Sequence, residues 1–363
     1  MLTSLIFLAF LGPTHAKCIP SDRGDAPGVG IDLTMAYGAV AIHFKNGTTK
    51  DAGRIDGTPE YLAAMKSLAE DAQQFHSLRP PEELTYEPTQ TFYPPLFIME
   101  WWSSLKAWYT TDDTYSTPDP YLPDKWVEVV ADMLSRIKSE ILDTFDPPLQ
   151  YEGVFTTWPD FEANTGSLYS VRFRLACRQA GLEHLDGDIV SYHALQYDGI
   201  AGDQWDEGDY ETSGPLAMLV VSYNTASLGI SLITREAGML WPRRLVDSPR
   251  HRPALSHGSE YWDNVKWLLE DVIQDETVDH ILLLGSHAYD ADLIQAVDDV
   301  IQSHGNINSS ILGRYRSGIS NMHDENLPVF TAARQAAVVA RWIMEANACT
   351  SNDQMADHVH LEL

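Results

Sequence analysis

The stretch "VGIDLTMAYGAVAIHF", Val29–Phe44, decides how the chain folds. Val29–Leu33 reads as a strand, Thr34–Tyr37 as a short polar break and Gly38–Phe44 as a second strand, because both flanks are rich in apolar and β-branched residues. An acid, Asp32, stands where the first strand meets the break. A carboxylate adds nothing to strand propensity, so its place at a hairpin neck needs another reason.

Further along, "LVVSYNTASLGISLI", Leu219–Ile233, repeats the arrangement, with strands at Ala217–Tyr223 and Leu228–Thr234 around a polar break at Tyr223–Ser227. Tyr151–Thr157, Asp188–His193 and His280–Gly285 also read as strands. Helical periods separate them. "PDKWVEVVADMLSRIKSEILDTF" spaces Val129, Val130, Met133, Leu134, Ile137 and Ile141 by threes and fours, with Asp124 as an N-cap. "SEYWDNVKWLLEDVIQ" puts Trp262, Val265, Leu268, Leu269 and Val272 on one face, and "DADLIQAVDDVIQSHG" runs to a C-cap glycine, Gly305. "LPVFTAARQAAVVARWIMEANA" is apolar round much of its girth and should be buried. The order is mixed α/β, in two related halves that each open with a hairpin.

The chain has 363 residues, 44% of them hydrophobic, enough for a sizeable core. Its formal net charge of -28 excludes an electrostatic grip on nucleic acid or on an anionic membrane, which need clustered Lys and Arg. The opening "MLTSLIFLAFLGPTHA" pairs an apolar run, Leu2–Leu11, with a helix breaker, Pro13, and small residues at Thr14 and Ala16. It reads as an export leader over residues 1–16, although no Lys or Arg precedes the run. The expectation is a secreted glycoprotein with no membrane insertion. The closing "HLEL" differs from an HDEL retention signal only at Leu361, which keeps the endoplasmic reticulum lumen as the alternative. Two glycosylation sequons, Asn46-Gly47-Thr48 and Asn308-Ser309-Ser310, fit either compartment. Of three cysteines, Cys18 and Cys349 could staple the ends, and Cys177 reads as a buried thiol in an apolar helix.

The segments Leu78–Phe97 and Asp112–Asp124 are Pro-rich connectors, and Gly199–Gly214 is an acidic loop. Common catalytic signatures (HExxH, CxxC, GxSxG, GxxxxGK[ST], GxGxxG) are absent. "SHGSE" and "GSHAYD" set Ser beside His, but triads are built in space rather than by adjacency. "DQWDEGDYE", Asp203–Glu211, lacks EF-hand spacing and reads as a solvated loop. Trp101, Trp102 and Trp108 cluster beside the Pro-rich stretch as packing or as a recognition surface.

Taken in order, these blocks resemble the nucleotide-binding domain of the Hsp70 family, an actin-like ATPase fold. Val29–Thr48 resembles its first phosphate hairpin, usually GIDLGTTYS; Val154–Leu185 its VPAYFND…AAKIAGLE region; Leu219–Ile233 its second phosphate hairpin, usually DLGGGTFDVSLL; Val278–Val297 its adenosine-site strand and helix, usually VLVGGSTRIP; and Leu327–Met344 its closing helix. The resemblance implies two lobes, each with a mixed sheet and flanking helices, and reduced subdomains: residues 17–150 with a Pro-rich insertion, then 151–363 with the closing helix, and no substrate-binding domain. In such a fold the hairpin necks face a nucleotide, glycine amides and Thr hydroxyls cradle phosphate, and the acid orders water around Mg²⁺.

The resemblance leaves Asp32, Thr34, Ser227, Gly285 and Ser286 as nucleotide-site residues. It also departs from the family. GTT is Thr34-Met35-Ala36, and DLGGGTFD is Ser222-Tyr223-Asn224-Thr225-Ala226-Ser227-Leu228-Gly229, which loses both acids and every glycine. Tyr289 replaces the base-stacking Arg, Val190 or a neighbour stands for the catalytic Glu, and only Lys106 approximates the catalytic Lys. Each such loss costs about 2.7–4 kcal/mol of transition-state stabilisation. The expectation is a pseudo-ATPase without cofactor, a scaffold for an unknown protein partner. The alternatives are a residual ATP-binding protein that takes ATP or ADP with Mg²⁺ and turns over slowly, and an unrelated secreted hydrolase using the cleft.

Overall fold

The computed structural model describes residues 25–77, 124–159, 166–189, 193–194, 216–236, 239–248, 258–303 and 327–346. The leader, Cys18, Cys349, the Pro-rich connectors up to residue 123, the three clustered tryptophans, Lys106, Val190, the acidic loop, Asn308 and the HLEL tail lie outside the described residues.

The chain is α/β, with two mixed sheets. The first takes β1 (Gly28–Leu33), β2 (Tyr37–His43), β3 (Thr49–Asp56), β4 (Val154–Trp158) and β5 (His184–Ile189) in the order β3-β2-β1-β4-β5. β1, β2 and β3 form an antiparallel meander, and β4 and β5 add in parallel. The second takes β6 (Leu216–Tyr223), β7 (Leu228–Glu236), β8 (Met239–Ser248) and β9 (Val278–Leu284) in the order β8-β7-β6-β9, again a meander with a parallel strand beside its first member. The meander-plus-parallel plan thus occurs twice. The first sheet extends past residue 150, where the sequence places the boundary between halves, because β4 and β5 hydrogen-bond beside β1.

Around the sheets lie α1 (Pro59–Ser77), α2 (Asp124–Glu140), α3 (Gly166–Gln179), α4 (Ser259–Ile273), α5 (Ala291–Ser303) and α6 (Leu327–Ala346). Local chemistry sets several ends. Thr58 caps α1, its Oγ1 accepting from the Tyr61 amide at 3.2 Å, and Pro59 fills the first turn. Gly181, at φ 69°, closes α3, with Gly181 N donating to Arg178 O and Leu182 N to Cys177 O.

Strand alternation splits β1 into two faces. Val29, Ile31 and Leu33 pack with Met133, Leu134 and Ile137 of α2 and with Phe173 and Cys177 of α3. Trp126 meets the Phe173 ring edge-on at 5.1 Å, and Trp158 stacks on it at 4.7 Å, which joins α2, α3 and β4. The Cys177 thiol is buried as expected, and burial pushes its pKa up to about 12. The opposite face is smooth: Gly28, Gly30, Ala39 and Ala41 make a floor for the alanines of α6. A Cβ on Gly30 would lie 2.1 Å from the Ala333 carbonyl oxygen and 2.3 Å from the Ala337 nitrogen, so only glycine admits the helix this closely. A bidentate pair, Arg334 to Asp51 with both N–O distances 2.7 Å, ties α6 to β3.

The second sheet packs Leu219, Val221, Ile230 and Leu232 against Val265 and Leu269 of α4 and Leu293 and Val297 of α5. Its other face presents Met218, Val220, Ile233 and Leu284 to Ala332 of α6 and to Ala194. His193, next to Ala194, lies edge-on against Phe155 of β4, 4.8 Å between ring centroids. α6 and the 193–194 segment therefore fill the seam between the sheets.

Candidate functional site: a cleft between two capped turns

Each sheet opens with a hairpin, and the two turns share one cleft. Leu33 pairs with Gly38 across the first neck, and Tyr223 with Leu228 across the second. This register makes Asp32 the counterpart of Ser222, Thr34 of Asn224 and Tyr37 of Ser227. The cleft walls include Asp32, Thr34 and Tyr37 from the first hairpin and Ser222, Asn224 and Gly229 from the second, with Gly285 after β9 and Pro328 at the start of α6.

The turns are closed in the same way. Thr34 N donates to Tyr37 O at 2.9 Å, and Asn224 N to Ser227 O at 3.1 Å. Thr34 Oγ1 accepts from the Ala36 and Tyr37 amides at 3.1 and 3.0 Å. Asn224 Oδ1 accepts from the Ala226 and Ser227 amides at 3.0 and 3.1 Å. In each turn one side-chain oxygen satisfies the two amides that follow it, the local bonding that suits Thr and Asn to turns. The first turn is held further: the Tyr61 hydroxyl donates to Thr34 O at 2.7 Å, and Gly57 N donates to Ala36 O at 2.8 Å.

Asp32 is 3% exposed, and its Oδ1 accepts from Thr157 Oγ1 at 2.8 Å. Burial and then the Asp32 charge raise the phenol pKa values of Tyr37 and Tyr61 far above ordinary, so both hydroxyls stay protonated. Gly285 has φ 95°, and a Cβ there would lie 2.3 Å from the Tyr223 carbonyl oxygen. Its amide donates to Pro328 O at 3.0 Å, which brings α6 to the cleft.

Of the residues that the sequence nominates, Asp32, Thr34 and Gly285 line the cleft together. Ser227 and Ser286 are not among its walls. Ser227 Oγ accepts from Asn224 Nδ2 at 3.5 Å, and Ser286 Oγ is buried without a hydrogen-bond partner among the described residues. Sequence reading missed Asn224, Thr157 and Tyr61. Asn224 carried a usable signal, an Asn opening a polar break between two strands. Thr157 and Tyr61 reach the site through β4 pairing and α1 packing, which no local pattern announces.

No family model matches the chain, and no curated protein matches it.

Chemically the cleft is lightly charged. It spans roughly 530 Å³ with its open mouth. Among the described residues on its walls Asp32 is the lone charged side chain, and no Lys or Arg is present. A phosphate entering here would meet a carboxylate, and four turn amides already donate to Thr34 and Asn224. A divalent cation would find Asp32 with the neutral oxygens of Ser222 and Asn224, a sparse set for a hard ion. Among the described residues no group of three or more His, Cys, Asp or Glu is placed to hold a metal, and no helix is long and apolar enough to cross a membrane.

Proposed function

We propose that the chain is a degenerate Hsp70-like domain of the actin-like ATPase fold, a pseudo-ATPase that acts in the secretory pathway as a binding or scaffold module for a protein partner. It is exported, with the endoplasmic reticulum lumen as the alternative destination. The twice-used strand order, with both hairpin turns at one cleft, supports the fold reading. The observation that carries the functional reading is the capping of both turns. The amides that a phosphate-binding hairpin would offer are taken by Thr34 Oγ1 and Asn224 Oδ1, and among the described residues the cleft walls supply no cation to offset phosphate charge.

The test is a thermal shift, followed by titration calorimetry, of the mature chain with ATP and with ADP, each with and without Mg²⁺. A ligand at 100 times its dissociation constant stabilises the folded state by about 2.7 kcal/mol, easily seen as a raised Tm. No shift at millimolar nucleotide is expected. A second reading, residual ATP binding with slow hydrolysis, is favoured by the buried Asp32 carboxylate on the cleft wall, steadied by Thr157. A Mg²⁺-dependent rise in Tm that Asp32→Ala abolishes would put that reading in place of the scaffold.

A further inference from the structure

The turn between β2 and β3 carries Asn46-Gly47-Thr48, and its geometry bears on chemistry that the cleft does not use. Asn46, Gly47 and Thr48 are all exposed. The turn is short and locally closed: Gly47 N donates to Phe44 O at 2.9 Å, and Phe44 N donates to Thr48 O at 2.9 Å. Gly47 sits at φ 80°, and a Cβ built on it would have nothing within 4 Å, so the outer side of the turn is open.

The Asn46 side chain is oriented by the third residue of the sequon. Thr48 N donates to Asn46 Oδ1 at 3.0 Å, and Thr48 Oγ1 donates to the same oxygen at 2.7 Å. Accepting a backbone N–H fixes which end of the amide is oxygen. Both bonds fall on Oδ1, which leaves Nδ2 directed away from them.

We infer that Asn46 is an N-glycosylation site, with a glycan standing on the outer turn of the first sheet. The inference rests on the secretory reading of the chain. In the transfer, Asn46 Nδ2 forms a bond to the anomeric carbon of an oligosaccharide carried on a lipid pyrophosphate. The bond from that carbon to the phosphate oxygen breaks, the lipid pyrophosphate leaves with the electron pair, and Nδ2 gives up one proton to a base of the transferase. No oxidation or reduction is involved. The folded protein accommodates the product, because β2 runs its seven residues from the cleft to this turn, placing the glycan roughly 20 Å from the cleft at ordinary strand rise. It stands instead at one end of β3, the edge strand of the first sheet, where bulk opposes edge-to-edge pairing with another chain.

The test is translation of the full chain with microsomes, in one arm with its own leader and in a second with a strong export leader ahead of Met1. Wild type, Asn46→Gln, Thr48→Ala, Thr48→Ser and Asn308→Gln are compared by gel mobility before and after N-glycosidase, and the peptide carrying residue 46 is examined by mass spectrometry. The expected result is loss of one glycan step in Asn46→Gln and Thr48→Ala, retention in Thr48→Ser, and Asp at position 46 after glycosidase treatment. Modification in the second arm alone upholds the site and overturns the leader. Chains protected from added protease, with residue 46 unmodified in the second arm, overturn the site whether or not Asn308 is modified.

Discussion

The two hairpins have one backbone and two chemistries. Each begins a sheet, spans its neck in the same register and seals its turn with a side-chain oxygen, Thr34 in one and Asn224 in the other. They differ in what their first strands face. β1 offers Gly28 and Gly30 to α6, and the helix backbone rests on the strand. At the matching places β6 carries Met218 and Val220, whose side chains fill the seam themselves. They differ again at the neck, where a buried carboxylate, Asp32, answers to Ser222. A repeated topology therefore does not fix the use of its parts: glycine admits a helix, and a branched side chain takes the helix's place.

Exchanging these roles gives the largest expected effect. Gly30→Val puts into β1 what β6 holds at Val220, with the Cβ driven into the backbone of α6. The expected loss is about 3 kcal/mol or more, read as a fallen denaturation midpoint or as insoluble protein. A near-neutral result would mean that α6 is not seated on β1.

Two buried histidines should make stability respond to acid: His193 in the seam between the sheets, and His184 of β5, which bonds Thr156. Burial holds His193 down to about 4, and burial together with the Arg174 charge does the same for His184. His193 has no hydrogen-bond partner on either ring nitrogen among the described residues. Since both folded values lie below the unfolded value of 6.5, the unfolded chain binds the protons first and stability falls as pH drops from about 7 towards 4. Each histidine should contribute about 3 kcal/mol of that loss by pH 4. Denaturation across this range, compared with His193→Gln, should show a shallower slope in the variant. An unchanged slope would remove His193 from the account.

The reverse exchange is smaller. Val220→Ala trims the side chain that fills the second sheet's inner face and should cost about 2 kcal/mol in chemical denaturation, since the seam can partly close. Smallest are the turn caps. Thr34→Ala and Asn224→Ala each remove an acceptor shared by two amides and should each cost about 1 kcal/mol. Equal losses would confirm the two turns as equivalents. A loss at Asn224 alone would show that Tyr61, which braces only the first turn through the Thr34 backbone carbonyl, makes up for the missing cap there.

Much of this was legible in sequence where burial is one-sided or complete. Both hairpins, β9, α2, α4, α5 and α6 fall close to where apolar spacing puts them. The misses are α1, for which no helix is read from the sequence, and the edge strands. β3, "TKDAGRID", buries only Ile55, and β8, "MLWPRRLVDS", carries Pro and two Arg, so neither shows an apolar face. β5 lies at His184–Ile189 rather than Asp188–His193, because it is placed by pairing with β4 and by Gly187, where a Cβ would lie 2.3 Å from the Trp158 ring. At the cleft, Asp32 stood out as an acid at a hairpin neck, whereas Thr34 and Gly285 were nominated by the family resemblance, which also nominated Ser227 and Ser286, residues that do not line it. Thr157 and Tyr61 were not found, because they arrive by tertiary packing.

The bond between Arg334 and Asp51 joins positions 283 residues apart, and this orders events during synthesis. The ribosome delivers β1, β2 and β3 early, yet the helix that covers their glycine floor emerges only after both sheets have been made. The sheet begun first is thus finished last. Until α6 arrives, its uncovered small-residue face must be shielded, which makes the nascent N-terminal half the stage at which folding helpers or misassembly would act.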